Sequence, residues 1–236
     1  MKRVKLLSLG GTIAMTENSR HLANPALDAA ALLEKVPALE TVASVEAESF
    51  MNVPSPFLVP RDILRLARRI EALAGERFDG VVVTQGTDTL EETAYLLDLL
   101  IPRTARIGVA VTDAPVEVIW AGMGTTSSML DAARESGARG IVLQAVGAGH
   151  VPPTMIPGVK RLVDAGIPVL MTSRCHGGRL LTGTYGYEGS ETHLHDLGVI
   201  FGDGLATSKA RAKLTVLLGA YLSIDDIRRE FEKNYY

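Results

Sequence analysis

The stretch Val81-Val82-Val83-Thr84-Gln85-Gly86-Thr87-Asp88-Thr89-Leu90-Glu91-Glu92-Thr93 constrains the fold more than any other. Its short apolar, β-branched run reads as a buried parallel strand. The run ends in a polar, glycine-containing turn and passes at once into a helical pattern, with Leu90, Ala94, Leu97 and Ile101 on one stripe. Open parallel sheets bind their ligands outside the carboxyl ends of the strands. Thr87 and Asp88 fall at that end, where backbone N–H groups without helical partners favour an anion. The same residues have a plainer reading. Asp88-x-x-Glu91 and Thr89-x-x-Glu92 both fit a capping box, which only starts a helix. Spacing alone leaves both readings open.

Patterning elsewhere repeats the strand-to-helix theme. Val4 to Leu9 is a strand that ends in Gly10-Gly11-Thr12, and Val42 to Phe50 alternates weakly as another. Between them, Thr16 to His21 reads as a polar loop and Ala29 to Val36 as a short helix. Arg61 to Ala74 places Ile63, Leu66, Ala67, Ile70 and Ala74 at i, i+3, i+4, i+7 spacing, with Pro60 suited to its start and Gly75 to its stop. Pro102 ends the helix that follows Thr89, and Ala105 to Thr112 is a further apolar strand.

The second half continues in smaller units. Strands are expected over Val116–Ala121, Gly140–Val146 and Ile167–Thr172. Helices are expected over Ser128–Glu135 (Met129, Ala132 and Ala133 inward), near Lys160–Ala165, over Ser208–Leu218, and over Ile224–Phe231 behind a Ser223-x-x-Asp226 cap. The order implies an α/β chain of two domains, 1–112 and 113–236. The first is a larger, open, mostly parallel sheet flanked by helices, and the second a smaller parallel α/β domain.

Composition narrows the partners. The 236 residues carry a net charge of -3 with no basic run, which gives no footing for nucleic acid. No apolar stretch is long enough to span a membrane, and Cys175 stands alone, so a cytoplasmic, reducing setting is expected. Gly122-x-Gly124-x-x-Ser127 lacks the third glycine of a dinucleotide fingerprint. His176, His193 and His195 do not have the spacing of a metal motif, and no G-x-S-x-G marks a serine hydrolase.

Leu9-Gly10-Gly11-Thr12-Ile13-Ala14 and Thr84-Gln85-Gly86-Thr87-Asp88-Thr89-Leu90-Glu91-Glu92-Thr93, in this order, resemble the two threonine signatures of the bacterial-type L-asparaginase/glutaminase family. Gly147-Ala148-Gly149-His150-Val151-Pro152, Ser173-Arg174-Cys175, Gly183-Thr184-Tyr185-Gly186-Tyr187 and Lys209-Ala210-Arg211 resemble the family's small C-terminal domain. The resemblance implies hydrolysis of L-asparagine to L-aspartate and ammonia, with L-glutamine a poorer substrate and no cofactor. It makes Thr12 the nucleophile and Thr87 and Asp88 the second catalytic constellation, with Asp88 on the substrate α-ammonium. Ser55 would bind the α-carboxylate, Gly86 would line the substrate, and Glu191 would be lent to a neighbouring subunit's α-ammonium in a homo-oligomer, a dimer or tetramer.

The resemblance is interrupted in two places. The family follows its substrate-binding serine with glutamine, whereas Pro56 stands here. After its strand over Ala105–Thr112 the chain passes straight to Asp113-Ala114-Pro115, where the family has several tens of residues carrying the lysine that pairs with the second threonine. Neither Lys160 nor Lys209 matches that lysine by position. The alternative is therefore a shortened member that binds a small amino acid without turnover.

Overall fold

A computed structural model gives the architecture. It describes residues 1–11, 15–17, 23–25, 28–101, 113–202 and 204–233, the strands at 15–17 and 23–25 by their backbone only. Thr12, most of the expected loop at Thr16 to His21, and the expected strand over Ala105–Thr112 lie outside these residues. The chain divides into two compact units, Met1–Thr104 and Ala105–Tyr236.

In the first unit, β1 (Lys2–Ser8) lies between β4 (Ala43–Ser49) and β5 (Gly80–Thr84), all parallel. The register aligns Ser8 with both Ser49 and Thr84, so the three strands end level. That level edge brings the chain segments after each strand together. β2 (Met15–Glu17), which overlaps the start of the expected Thr16–His21 loop, and β3 (Ala23–Pro25) form an antiparallel pair. Helix α1 (Ala29–Glu34) is capped by Asp28, whose carboxylate accepts from the Ala31 N–H at 2.8 Å. Helix α2 (Pro60–Gly75) buries Ile63, Leu64, Leu66, Ala67 and Leu73, while Ala74, expected inside, is exposed.

Helix α3 (Leu90–Leu100) turns differently from the expected stripe. Thr93, Tyr95, Leu96 and Leu100 are buried, whereas Leu90 and Ala94 are exposed among the described residues. Residues 93, 96 and 100 also satisfy i, i+3, i+7 spacing. A helix this rich in leucine offers two apolar stripes, and packing against α2 selects one.

In the second unit, β6 (Val116–Trp120), β7 (Gly140–Ala145), β8 (Val169–Ser173) and β9 (Ile200–Phe201) form a parallel sheet in sequence order. Helices α4 (Ser128–Glu135) and α5 (Ile156–Asp164) cover one face, with Leu130, Val159 and Leu162 packed on Ile141, Leu143 and Met171. Helices α7 (Thr207–Gly219) and α8 (Ile224–Glu232) cover the other, with Leu214, Leu217 and Ile227 packed on Val142 and Leu170. In α4 it is Leu130, not Met129 or Ala132, that joins Ala133 in the core. Ser223 caps α8 as its sequence implies, accepting from the Asp226 N–H. Helix α6 (Glu191–Asp196), too short to announce itself, is capped by Ser190.

Both units are thus parallel sheets flanked by helices. Among the described residues the first unit has three parallel strands and the second has four. The one further apolar run assigned to the first sheet is the segment outside the description. No helix among the described residues is long and apolar enough to cross a membrane.

Candidate functional site

Three segments converge at the carboxyl edge of the first sheet. The Leu9 N–H donates to the Thr84 carbonyl at 2.8 Å, and the Val53 N–H donates to the Leu9 carbonyl at 3.0 Å. The segment after β1 is thereby tied to those after β5 and β4. A 3-10 turn at Ser55–Phe57 follows Pro54, and a second, Thr87–Thr89, leads into α3.

Ser55 is the centre of this junction. It is 2% exposed, and its hydroxyl donates to Asp88 Oδ2 at 3.1 Å. The Thr89 hydroxyl donates to the Ser55 carbonyl, also at 3.1 Å. These bonds count against the capping reading of the Thr87–Glu92 motif. Thr89 stands at the N-cap position of α3 but makes no side-chain cap bond there, and Asp88 is engaged by Ser55. The capping-box pattern is present in sequence, yet its side chains reach a different segment, more than thirty residues upstream.

Two glycines permit the approach. A Cβ on Gly86 would lie 2.7 Å from Ser55 Oγ. Gly11 has φ +88°, in the left-handed region that glycine adopts at no steric cost, and a Cβ there would lie 2.5 Å from Gly86 Cα. Gly11, Gly86, Ser55 and Asp88 therefore form one packed group, with Thr87 and Asp88 exposed at its surface. Of the residues expected from sequence, Ser55, Gly86, Thr87 and Asp88 share this edge; Thr12, the residue after Gly11, lies outside the description. Such an edge can hold a small polar molecule through a hydroxyl, a carboxylate and turn N–H groups. Beneath it, Thr84 Oγ1 and Gln85 Oε1 are buried and have no hydrogen-bond partner among the described residues. Thr89 carried no separate sequence signal, because a cap and a tertiary anchor look alike in one dimension.

Glu191 belongs to the second unit and has no exposed surface. Its Oε1 accepts from the Thr184 and Tyr185 N–H groups at 2.7 and 2.8 Å, and its Oε2 faces His150 Nδ1 at 3.6 Å. The His150 ring packs against Tyr185 and Tyr187, with centroids 5.1 and 5.6 Å away. The carboxylate therefore holds the 184–187 loop of its own chain. Burial pushes the Glu191 carboxyl up, but the backbone N–H groups of Tyr185, Thr184 and Glu191 itself, together with His150, outweigh it and hold the pKa below the ordinary value. A depressed folded-state pKa stabilises the fold at pH above the unfolded-state value of 4.5, and that contribution is lost as pH falls through the lower folded value. Glu191→Gln should cost about 1.5–3 kcal/mol at neutral pH, the range for hydrogen bonds to a charged group. The difference from the parent should shrink on acidification below pH 4.5 in urea-unfolding curves; a constant difference would show that the charge is not what stabilises the loop.

Comparison with known proteins bears on both units. The family model described as "Asparaginase, N-terminal" matches residues 3–143, and that described as "Glutaminase/Asparaginase C-terminal domain" matches residues 115–231. An L-asparaginase of Bacillus licheniformis is 28% identical over 313 aligned positions, covering 93% of this chain and 96% of that protein. A "Probable L-asparaginase" of Deinococcus radiodurans is 28% identical over 337 positions, covering 100% and 99%. One component of a glutamyl-tRNA(Gln) amidotransferase from Pyrococcus abyssi is 22% identical, covering 100% of this chain and 76% of that protein. The crystal structure of a "Probable Cytoplasmic L-asparaginase" from Campylobacter jejuni superposes with a TM-score of 0.81 at 22% identity, covering 99% of this chain and 100% of that one. At that identity the likeness speaks for the fold.

Proposed function

The chain belongs to the asparaginase family, and from that premise we propose that it hydrolyses L-asparagine to L-aspartate and ammonia, with L-glutamine a poorer substrate. The observation that carries this reading is the Ser55–Asp88 bond across the carboxyl edge of the first sheet. It joins the two residues assigned to the two ends of one amino acid. The Ser55 hydroxyl has a single proton, so it serves a substrate carboxylate by turning from Asp88 Oδ2, which leaves the Asp88 carboxylate to attract an ammonium.

In the proposed mechanism the Thr12 hydroxyl attacks the side-chain amide carbon. A tetrahedral oxyanion forms, the C–N bond breaks, and ammonia leaves with the proton that threonine gave up. Backbone N–H groups around Thr87 stabilise the oxyanion. Water then attacks the acyl-threonine ester, releasing aspartate and restoring the hydroxyl. No cofactor enters.

The test is ammonia release from L-asparagine by the full 236-residue chain at neutral pH. Turnover supports the proposal. Asparagine binding without turnover by calorimetry would instead make the chain a shortened member that keeps the pocket and lacks proton transfer. Asp88→Ala should raise KM by about tenfold or more, the scale of a lost charge-assisted bond. An unchanged KM would remove Asp88 from substrate binding.

A further inference from the structure

The Gln85 side chain donates from Nε2 to the Gly86 carbonyl at 3.2 Å. That carbonyl and the Thr87 N–H belong to the same peptide group. A peptide is planar and trans, so its C=O and N–H point in opposite directions. Fixing one fixes the other.

The bond matters because of what stands at 86. Ser55 Oγ would lie 2.7 Å from any Cβ there, so glycine is required. Glycine, however, leaves the following peptide free to rotate, since no Cβ restricts it. The Thr87 N–H sits on that peptide, at the start of the 3-10 turn Thr87–Thr89. A site built on Gly86 therefore needs another restraint on the peptide after it.

Gln85 supplies that restraint at a cost. Only its NH2 can donate to a carbonyl, which settles the amide's orientation and leaves Oε1 on the other side. Oε1 is buried without a hydrogen-bond partner among the described residues. An unpaired buried acceptor is unfavourable, and natural folds keep few of them. A residue that only filled space here would be better apolar.

We propose that Gln85 is a positioning residue, whose amide locks the Gly86–Thr87 peptide so that the Thr87 N–H is aimed at the reacting carbonyl before substrate arrives. The inference rests on the asparaginase reading of this edge for its kinetic consequence, but not for the geometry itself.

Gln85→Met keeps the length and removes the donor; Gln85→Glu keeps the shape and sets a carboxylate beside the Gly86 carbonyl. Two readouts apply to the full chain. The first is the 15N–1H resonance of the Thr87 amide without substrate, which is expected to move in both variants while amides in the second unit stay put. The second is steady-state ammonia release, in which kcat is expected to fall about 10- to 100-fold, somewhat less than the loss of an oxyanion donor outright, with KM changed less than about twofold. A Thr87 resonance unmoved by Gln85→Met overturns the proposal, whatever the activity. A KM rise with constant kcat overturns it too, since that pattern belongs to substrate binding. If the parent protein releases no ammonia, the asparaginase reading fails, and the Thr87 resonance alone decides the role of Gln85.

Discussion

Thr12→Ala is expected to lower kcat for ammonia release from L-asparagine by on the order of 10⁴-fold or more, the scale of losing a covalent nucleophile. The fold should survive, because alanine keeps the Cβ and removes only the hydroxyl and methyl. Turnover in this mechanism runs through an acyl-threonine ester, so without the hydroxyl the first step has no nucleophile. Thr12→Ser, which keeps the hydroxyl, should retain measurable turnover and separate chemistry from packing. Mass spectrometry after quenching with substrate should show an added acyl group on the parent protein and none on Thr12→Ala. A Thr12→Ala variant with unchanged kcat would move the nucleophile elsewhere.

Gly11→Ala should be nearly as damaging, for a different reason. Two penalties add. The backbone at φ +88° suits glycine, and an L side chain there costs roughly 1–2 kcal/mol. The new methyl would also lie 2.5 Å from Gly86 Cα and 2.7 Å from the Gln85 carbonyl carbon, which are backbone atoms that cannot swing aside. Overpacking of this kind adds about 1–3 kcal/mol. Because the displaced segment is the Gln85–Gly86 turn, activity should fall with stability. Gly124 is the control. Its φ is +78°, but nothing lies within 4 Å of a Cβ there, so Gly124→Ala should show the backbone penalty alone. Equal losses in urea unfolding for the two variants would mean that the Gly11–Gly86 approach is not tight.

The two variants probe different kinds of information. Thr12 was legible in sequence as a residue type in a motif. The Gly11–Gly86 approach was not, since the two glycines lie far apart in the chain and neither announces its partner. The same contrast holds for the elements. The extents of α4, α7 and α8 lie within a residue of those expected, because helix-forming composition and, for α8, the Ser223 cap act over a few residues. Which stripe of α3 faces inward did not follow, because its leucines offer more than one and α2 makes the choice. Helix α6 and the two-residue strand β9 are too short for any periodicity to emerge.

Glu191 shows the limit most clearly. In sequence it is a glutamate in a glycine- and serine-containing loop, and a solvent-facing role is natural. In the structure it is fully buried, because Thr184, Tyr185 and His150 come to it from both sides of the chain. A charge can be buried when N–H groups replace water, and only the folded loop supplies them.

By itself the sequence determined the α/β class, the strand-to-helix junctions and the two threonine motifs that mark the family. Each is written in residues close together in the chain, where hydrophobic period, glycine and turn chemistry act locally. Only the tertiary structure decided that Asp88 and Thr89 reach Ser55 instead of capping α3, and that Gly86 is glycine to admit Ser55. The physical reason is that three strands ending in register bring together segments dozens of residues apart. Hydrogen-bond partners and close approaches there are set by that meeting, and no local pattern encodes it.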